Sequence, residues 1–550
     1  MKIETARKTT IVRMPFQPAI SYDSDLKVWS GDQVTHYFDP HLSIGDIIFH
    51  EMRRHPKLIA QISATENTVL TRGELHANSM RVASYMRSLG LLQSDVVGII
   101  ARNTTHIFAV TYACFFNGIA FHSLNIAYEQ NTIEKLFDIT KPKLIFCDGD
   151  EFEKVRAATA HQNVKIITMR NHPSGSITID QVLATPIEDN FLPSQLEQGN
   201  DQTLAILCSS GTTGIPKAVT ITNSRQILAA SFRLTTEDVQ FTQSTLDWIT
   251  GLLTTVTSGV FSTKRIIADN AFDAAFFMRL VEEYKITWTI QAPAHMAMMV
   301  NCASFDTSDL SSIRYYLFGG SRASVETQHL IRNRLSSNCL HFAYGFTELG
   351  AMASMNFHFD DKPNSVGRLV SGIKLKVVSE QGESLGPDEL GEICIQNGQY
   401  WAGYYGNPAE THLMRDSHLW FHSGDLGYVD DDGFLYIVER KKDMLKYQNI
   451  MYYPNEIESV ISEMPDVVEV CVFGVWDQIY GDEAAAAVVK KQGSSLKAQD
   501  VVDYVADHTK AKYKQLNGGA IIVEDLKRSP NGKTNRMANK AHFLEVKNSS

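Results

Sequence analysis

The chain has 550 residues, more than one hydrophobic core ordinarily organises, so at least two domains are expected. Its 44% apolar and 21% charged residues are those of a globular protein, and its net charge of −11 argues against nucleic acid as a bulk partner, because phosphate-backbone binding draws on clustered Lys and Arg. Seven cysteines, at 114, 147, 208, 302, 339, 394 and 471, lack C-x-x-C spacing and histidine neighbours, which indicates reduced, mostly buried thiols of an intracellular protein rather than a disulfide frame or a zinc site.

Residues 1–14 carry Lys2, Arg7, Lys8 and Arg13 without an apolar stretch, so no secretory signal is expected, and Glu4 is out of character for an organelle transit peptide. From residue 43 to 148, helical periodicity (Ile47, Ile48, Met52, then 76–89) alternates with short apolar runs at 96–100 and 143–147. That alternation predicts an α/β architecture with largely parallel sheets. The most apolar stretch, 107–121, is interrupted by Thr111, Asn117 and Gly118 and falls short of a membrane span, so it is read as a buried core helix.

A strand-like run at 204–207 leads into L-C-S-S-G-T-T-G-I-P-K, residues 207–217. Ser209, Ser210, Thr212 and Thr213 supply hydroxyls, Gly211 and Gly214 let backbone N–H groups converge, and Lys217 adds a point charge, a composition suited to polyphosphate. The spacing differs from G-x-x-x-x-G-K-[ST], the common nucleotide-hydrolase loop. Further buried strands are expected at 265–268, 288–291 and 315–318. From 367 to 436, short alternating runs at 374–378, 391–396 and 433–438, separated by Gly, Asn, Asp and Pro, predict a smaller antiparallel β module. Beyond the charged cluster at 439–443 comes a domain-sized unit: helix 455–463, strands 467–475 and 484–490, helix 498–508 and strand 520–523.

Three further motifs follow the loop in order: Y-G-F-T-E at 344–348, W-F-H-S-G-D at 420–425 with E-R-K-K-D at 439–443, and S-P-N-G-K at 529–533. Together the four resemble the adenylate-forming superfamily of acyl-CoA synthetases, 4-coumarate-CoA ligases and beetle luciferases, from about residue 44 to about residue 540. The resemblance implies an N-terminal AMP-binding domain over 1–440 and a mobile α+β lid over 441–550 that swings at Lys442. It also implies that the 209–217 loop grips the β- and γ-phosphates of ATP, Tyr344 stacks on adenine, Thr347 bonds the α-phosphate, Glu348 ligates Mg²⁺, and Asp425 with Arg440 holds the ribose. Lys533 becomes the cation bridging carboxylate and α-phosphate, and Lys446 its replacement when CoA attacks. Such cations are what the chemistry needs, because an anionic carboxylate must attack an anionic triphosphate.

Two departures from the family pattern stand out: Ala218 follows the loop lysine where glycine is usual, and K-Y-Q-N at 446–449 replaces K-x-x-G, with Asn449 expected to take the left-handed conformation. By the same resemblance the acyl pocket is lined by Trp248, Thr250, Gly320, Ser321, Phe346 and Ala351, with core packing as the competing reading of Trp248. Apolar walls with few donors favour an aliphatic tail. The expected function is an ATP- and Mg²⁺-dependent fatty acid-CoA ligase. The alternatives are an aromatic-acid ligase of the coumarate or luciferase type and a non-catalytic acyl or nucleotide sensor. A cytoplasmic or peroxisomal location is expected, although the sequence ends Lys547-Asn548-Ser549-Ser550 and not in an S-K-L type address.

Overall fold

Two largely parallel sheets and the helices between and around them form the body of the chain in a computed structural model. The structure describes residues 19–33, 38–39, 41–209, 216–223, 234–336, 339–448, 450–529 and 533–549. One seven-stranded sheet is ordered 217–222, 203–209, 120–123, 96–100, 144–147, 165–168, 177–178, and all its pairings are parallel except the first. A nine-stranded sheet runs 368–369, 351–356, 340–346, 315–319, 288–291, 239–242, 264–267, 59–63, 68–71, parallel through its middle and antiparallel at both edges. Parallel strands covered on both faces read as continuous apolar runs, which is why Val96–Ile100 and Trp288–Gln291 are buried along their whole length and were legible from composition.

The Ile44–Arg54 helix opens on a capping box, with the Ser43 hydroxyl accepting from the Asp46 N–H and the Asp46 carboxylate accepting from the Ser43 N–H. The Arg72–Ser88 helix repeats the device with Thr71 and Glu74. These two helices pack on Ile107–Asn117, whose every residue is buried, and Phe49 meets Phe116 edge-on with centroids 5.4 Å apart. The apolar run at 107–121 is not one helix. Gly118 takes a left-handed φ of 66°, its N–H bonds back to Cys114 and Phe115, and the run continues as the Ala120–Ser123 strand.

The antiparallel module has seven strands among the described residues: Ile20–Asp23, Val28–Gly31, Lys374–Val378, Ser384–Leu385, Gly391–Gln396, Phe421–Val429 and Leu435–Arg440. Its first two strands come from the N-terminal segment, which lies outside the expected family core. The run predicted at 433–438 shifts to 435–440 because Gly433, with φ 79°, belongs to the turn. The smaller C-terminal domain has a five-stranded sheet with the helices Pro454–Ser462 and Ala498–His508, and its core, including Leu445, Ile457, Val472 and Val501, is separate from that of the large domain. Among the described residues no helix is long and apolar enough to cross a membrane.

Phe116→Ala removes a fully buried ring from the contact with Phe49, His76 and Phe191. It is expected to cost about 3–5 kcal/mol and to lower the denaturant midpoint of the large domain's transition. A midpoint equal to that of the parent chain would refute this placement of the core.

Candidate active site

The expected phosphate loop closes a β-hairpin: strands Thr203–Ser209 and Lys217–Thr222 run antiparallel, with Ser209 opposite Lys217. Ser210, Gly211, Thr212, Thr213 and Gly214 lie outside the described residues. At the loop's base the Lys217 ammonium donates to Glu410 at 2.5 Å and sits 4.9 Å from the centre of the Tyr404 ring. The Tyr404 hydroxyl in turn donates to Glu348 Oε1 at 2.7 Å. Tyr404 and Glu410 were missed by sequence reasoning. Their segment advertises only turn chemistry, with Gly406 at φ 70° and Asn407 capping a short helix through the Glu410 N–H.

Glu348 belongs to the Thr347–Leu349 turn that follows the Leu340–Phe346 strand, and Gly350 at φ 69° ends that turn. The side chain is buried, and Tyr404 occupies one of its two oxygens. A carboxylate fixed this way and left with an acceptor oxygen suits a hard cation that takes one protein carboxylate plus phosphate oxygens.

The second cluster is built by strand register. Pairing of Phe421–Val429 with Leu435–Arg440 places Asp425 directly opposite Arg440. Arg440 Nε donates to Asp425 Oδ1 at 2.8 Å, and the Tyr344 hydroxyl donates to Oδ2 at 2.5 Å. Burial pushes the Asp425 carboxyl above the ordinary carboxylate range, opposed by Arg440 and by the Tyr344 hydroxyl. Burial and the Asp425 charge push the Tyr344 phenol up, so it remains a proton donor. Both carboxylate oxygens keep lone pairs for further donors.

Lys533 reaches this cluster from the C-terminal domain. Its strap is pinned where the Ser529 N–H and hydroxyl both donate to the Lys533 carbonyl, at 2.9 and 3.0 Å. A methyl group added at Gly320 would lie 3.3 Å from Lys533 Cε and 3.8 Å from Nζ. The lysine is exposed to solvent. Crowding by protein atoms, and then the Arg440 charge, lower its pKa, while Asp425 and Glu348 oppose the shift. Lys533, Glu348, Tyr344, Asp425 and Arg440 are therefore gathered into one region.

Lys446 is elsewhere, exposed on the Leu445–Tyr447 strand of the C-terminal domain, and Lys442 is exposed in the Lys441–Asp443 turn. The left-handed residue of the 446–449 loop is Gln448, at φ 53°, and Asn449 lies outside the described residues.

Of the expected acyl-pocket residues, Gly320 and Ser321 are exposed beside Lys533, while Phe346 and Ala351 pair across adjacent strands. Trp248 precedes the Ile249–Val260 helix, is half-buried, and stands outside the main apolar core, which weighs against simple core packing. Asp247, which sequence reasoning also missed, anchors the turn before it: Thr245 donates to one carboxylate oxygen at 2.5 Å and Asn125 to the other at 2.9 Å. The Thr250 hydroxyl donates to Ser244 at 2.8 Å.

The chain matches the AMP-binding enzyme family over residues 48–405 and the AMP-binding enzyme C-terminal domain over residues 456–533. It belongs to that family, the adenylate-forming superfamily expected from the motifs. Among similar proteins, 4-coumarate:CoA ligase 1 of Petunia hybrida is 28% identical over 90% of this chain and 93% of its own length. Luciferin 4-monooxygenase of Photinus pyralis is 26% identical over 89% of this chain and 92% of its own. The fold is shared with the anthranilate CoA ligase AuaEII in complex with anthranoyl-AMP, at a TM-score of 0.84, 19% identity, and coverage of 93% of this chain and 99% of that one. ATP-bound MatB from Rhodopseudomonas palustris superposes with a TM-score of 0.80 at 23% identity, covering 92% of this chain and all of that one.

Asp425→Ala tests the nucleotide end of the cleft. Losing a carboxylate that accepts charge-assisted hydrogen bonds is expected to weaken ATP binding roughly ten- to hundredfold, read as a rise in the Michaelis constant or by calorimetry. Unchanged affinity would remove Asp425 from nucleotide binding.

Proposed function

We propose that the chain is an acid–thiol ligase that activates a carboxylic acid with ATP and passes the acyl group to CoA. A carboxylate oxygen attacks the α-phosphorus of ATP and pyrophosphate leaves. The CoA thiolate then attacks the acyl carbonyl of the adenylate and AMP leaves. The observation that carries this reading is the position of Lys533, a cation brought from a second domain to the side of Gly320 and the Asp425–Arg440 pair. Simple nucleotide binding has no need of it, which weighs against a sensor. Asp425 and Arg440 would hold the ribose, Tyr344 the adenine, Thr347 the α-phosphate, and Lys217 would exchange Glu410 for the polyphosphate. Mg²⁺, when bound, would neutralise phosphate oxygens, and Glu348 would hold it.

Lys446 would serve the second half-reaction after the C-terminal domain, residues 441–550, turns about Lys442. Supporting this, exposed apolar side chains lie on the neighbouring elements: Met451 is paired with Lys446 across the strands, and the adjoining hairpin carries Trp476, 69% exposed, and Ile479, 74% exposed, with Tyr480 in its turn. Rotation onto the large domain would cover them.

For the acid we propose a medium- or long-chain fatty acid. Trp248, Phe346 and Ala351 offer apolar walls, the Thr250 hydroxyl is already spent on Ser244, and Ser321 lies on the Lys533 side. A phenolic acid would find few partners for its own hydroxyl along the apolar walls. The second reading, an aromatic acid, is favoured by the names of the similar proteins, coumarate ligases and luciferin monooxygenases.

Lys533→Ala should lower adenylate formation roughly a hundred- to thousandfold while preformed acyl-adenylate still passes to CoA, and Lys446→Ala should do the reverse. Equal loss of both half-reactions in both variants would defeat the two-state reading. Pyrophosphate release across a panel of fatty and aromatic acids identifies the substrate class. Fatty acids should lead, and Trp248→His should depress their use with little change in the Michaelis constant for ATP. Preference for coumarate in the parent chain would establish the second reading, and no turnover with any acid would establish a sensor.

A further inference from the structure

A small cavity lined by none of the cleft residues lies among the Ile44–Arg54, Arg72–Ser88, Ile107–Asn117 and Ile249–Val260 helices and the strands Ile59–Ser63 and Lys264–Ile267. It has room for about one water-sized occupant. Two arginines line it, Arg72 and Arg265, each only 2% exposed. Arg72 Nε and Nη1 and Arg265 Nε have no hydrogen-bond partner, nor do the hydroxyls of Ser262 and Thr263 in the same wall. Arg265 is otherwise engaged with uncharged groups, donating to the Thr255 hydroxyl at 2.8 Å and stacking 3.9 Å from the centre of the Phe108 ring.

No carboxylate lines the cavity, and among the described residues neither arginine forms an ion pair. The nearest acid acting on Arg72 is Glu51, which is bonded to Arg54 at 2.8 Å. Burial pushes both guanidiniums below their ordinary value, Arg265 to about 9, and a guanidinium is charged at neutral pH. A water molecule could satisfy the unmet donors. It could not supply the missing countercharge, and desolvated charges are ordinarily paired. The unpartnered Gln61 Oε1 can only accept, the Ser262 and Thr263 hydroxyls can do either, and the three unpartnered arginine nitrogens can only donate, so strict donors outnumber strict acceptors.

We propose that this cavity binds a monatomic anion, chloride under ordinary conditions, held between Arg72 and Arg265. The size excludes phosphate or a bulky carboxylate, and the donor set with two positive charges selects an anion over water. Bound there, the ion ties the first turn of the Arg72–Ser88 helix to the Lys264–Ile267 strand. It thereby braces the far end of the Ile249–Val260 helix, whose near end follows Trp248.

The test compares thermal unfolding of the full chain in sodium chloride and in sodium gluconate at equal ionic strength, so that screening is the same in both. Chloride should raise the midpoint by roughly 1–2 °C when it exceeds its dissociation constant about tenfold, as expected of a ligand that binds only the folded state. Arg265→Met should abolish the difference. If that variant does not fold, Arg72→Met makes the same test, and crystals of the parent chain soaked in bromide make it without any substitution. An anomalous bromide peak between Arg72 and Arg265 supports the proposal. An empty bromide map at the cavity, equal midpoints in the two salts, or a chloride effect that survives both substitutions would overturn it.

Discussion

The pairing of Asp425 with Arg440 across two antiparallel strands is the contact on which the rest of the cleft depends. Its carboxylate is buried while the guanidinium stays exposed, and a buried carboxylate persists only when its hydrogen-bonding capacity is used. Tyr344 meets part of that need from the nine-stranded sheet, so the carboxylate ties the β module to the end of the parallel strands. Arg440 is also the last residue of its strand, and the Lys441–Asp443 turn follows at once. The same register that builds this pair therefore sets where the C-terminal domain departs.

That domain is docked by charge as well as by chain continuity. Glu439 accepts from the Asn455 N–H at 3.3 Å and lies 3.7 Å from Arg536, which is also bonded to Glu458 at 2.5 Å. These contacts are polar, as is usual between the domains of one chain. The consequence for the cleft is the arrival of Lys533. In a chain with a net charge of −11, the cations at 217, 440 and 533 offset the acids at 348, 410 and 425, so the cleft does not share the negative sign of the whole molecule.

Much of the fold was legible because its signals are local. Parallel strands buried on both faces announce themselves as apolar runs, and the Ala498–His508 helix follows from its periodicity. The misplacements also have local causes. Gly118 turns an apolar run from helix into strand, and Gly433 delays a strand by one turn. The N-terminal hairpin escaped notice because strands of four residues carry little periodic signal and are stabilised by partners more than 340 positions away, such as Lys374 against Ser30.

In the site, the sequence by itself determined the chemical parts: the lysines at 217, 446 and 533, the acids Glu348 and Asp425, Arg440, and the order in which they occur. Their types and spacing are written in contiguous motifs, so no folding is needed to read them. Only the tertiary structure decided which parts meet. Tyr404 and Glu410 became partners of Glu348 and Lys217, Asp247 became the anchor before Trp248, and two arginines nearly two hundred positions apart came to share one cavity. Each of these depends on contacts between segments distant in sequence. Such contacts are fixed by the packing of sheets and helices around a common core, and no local pattern of residues encodes them.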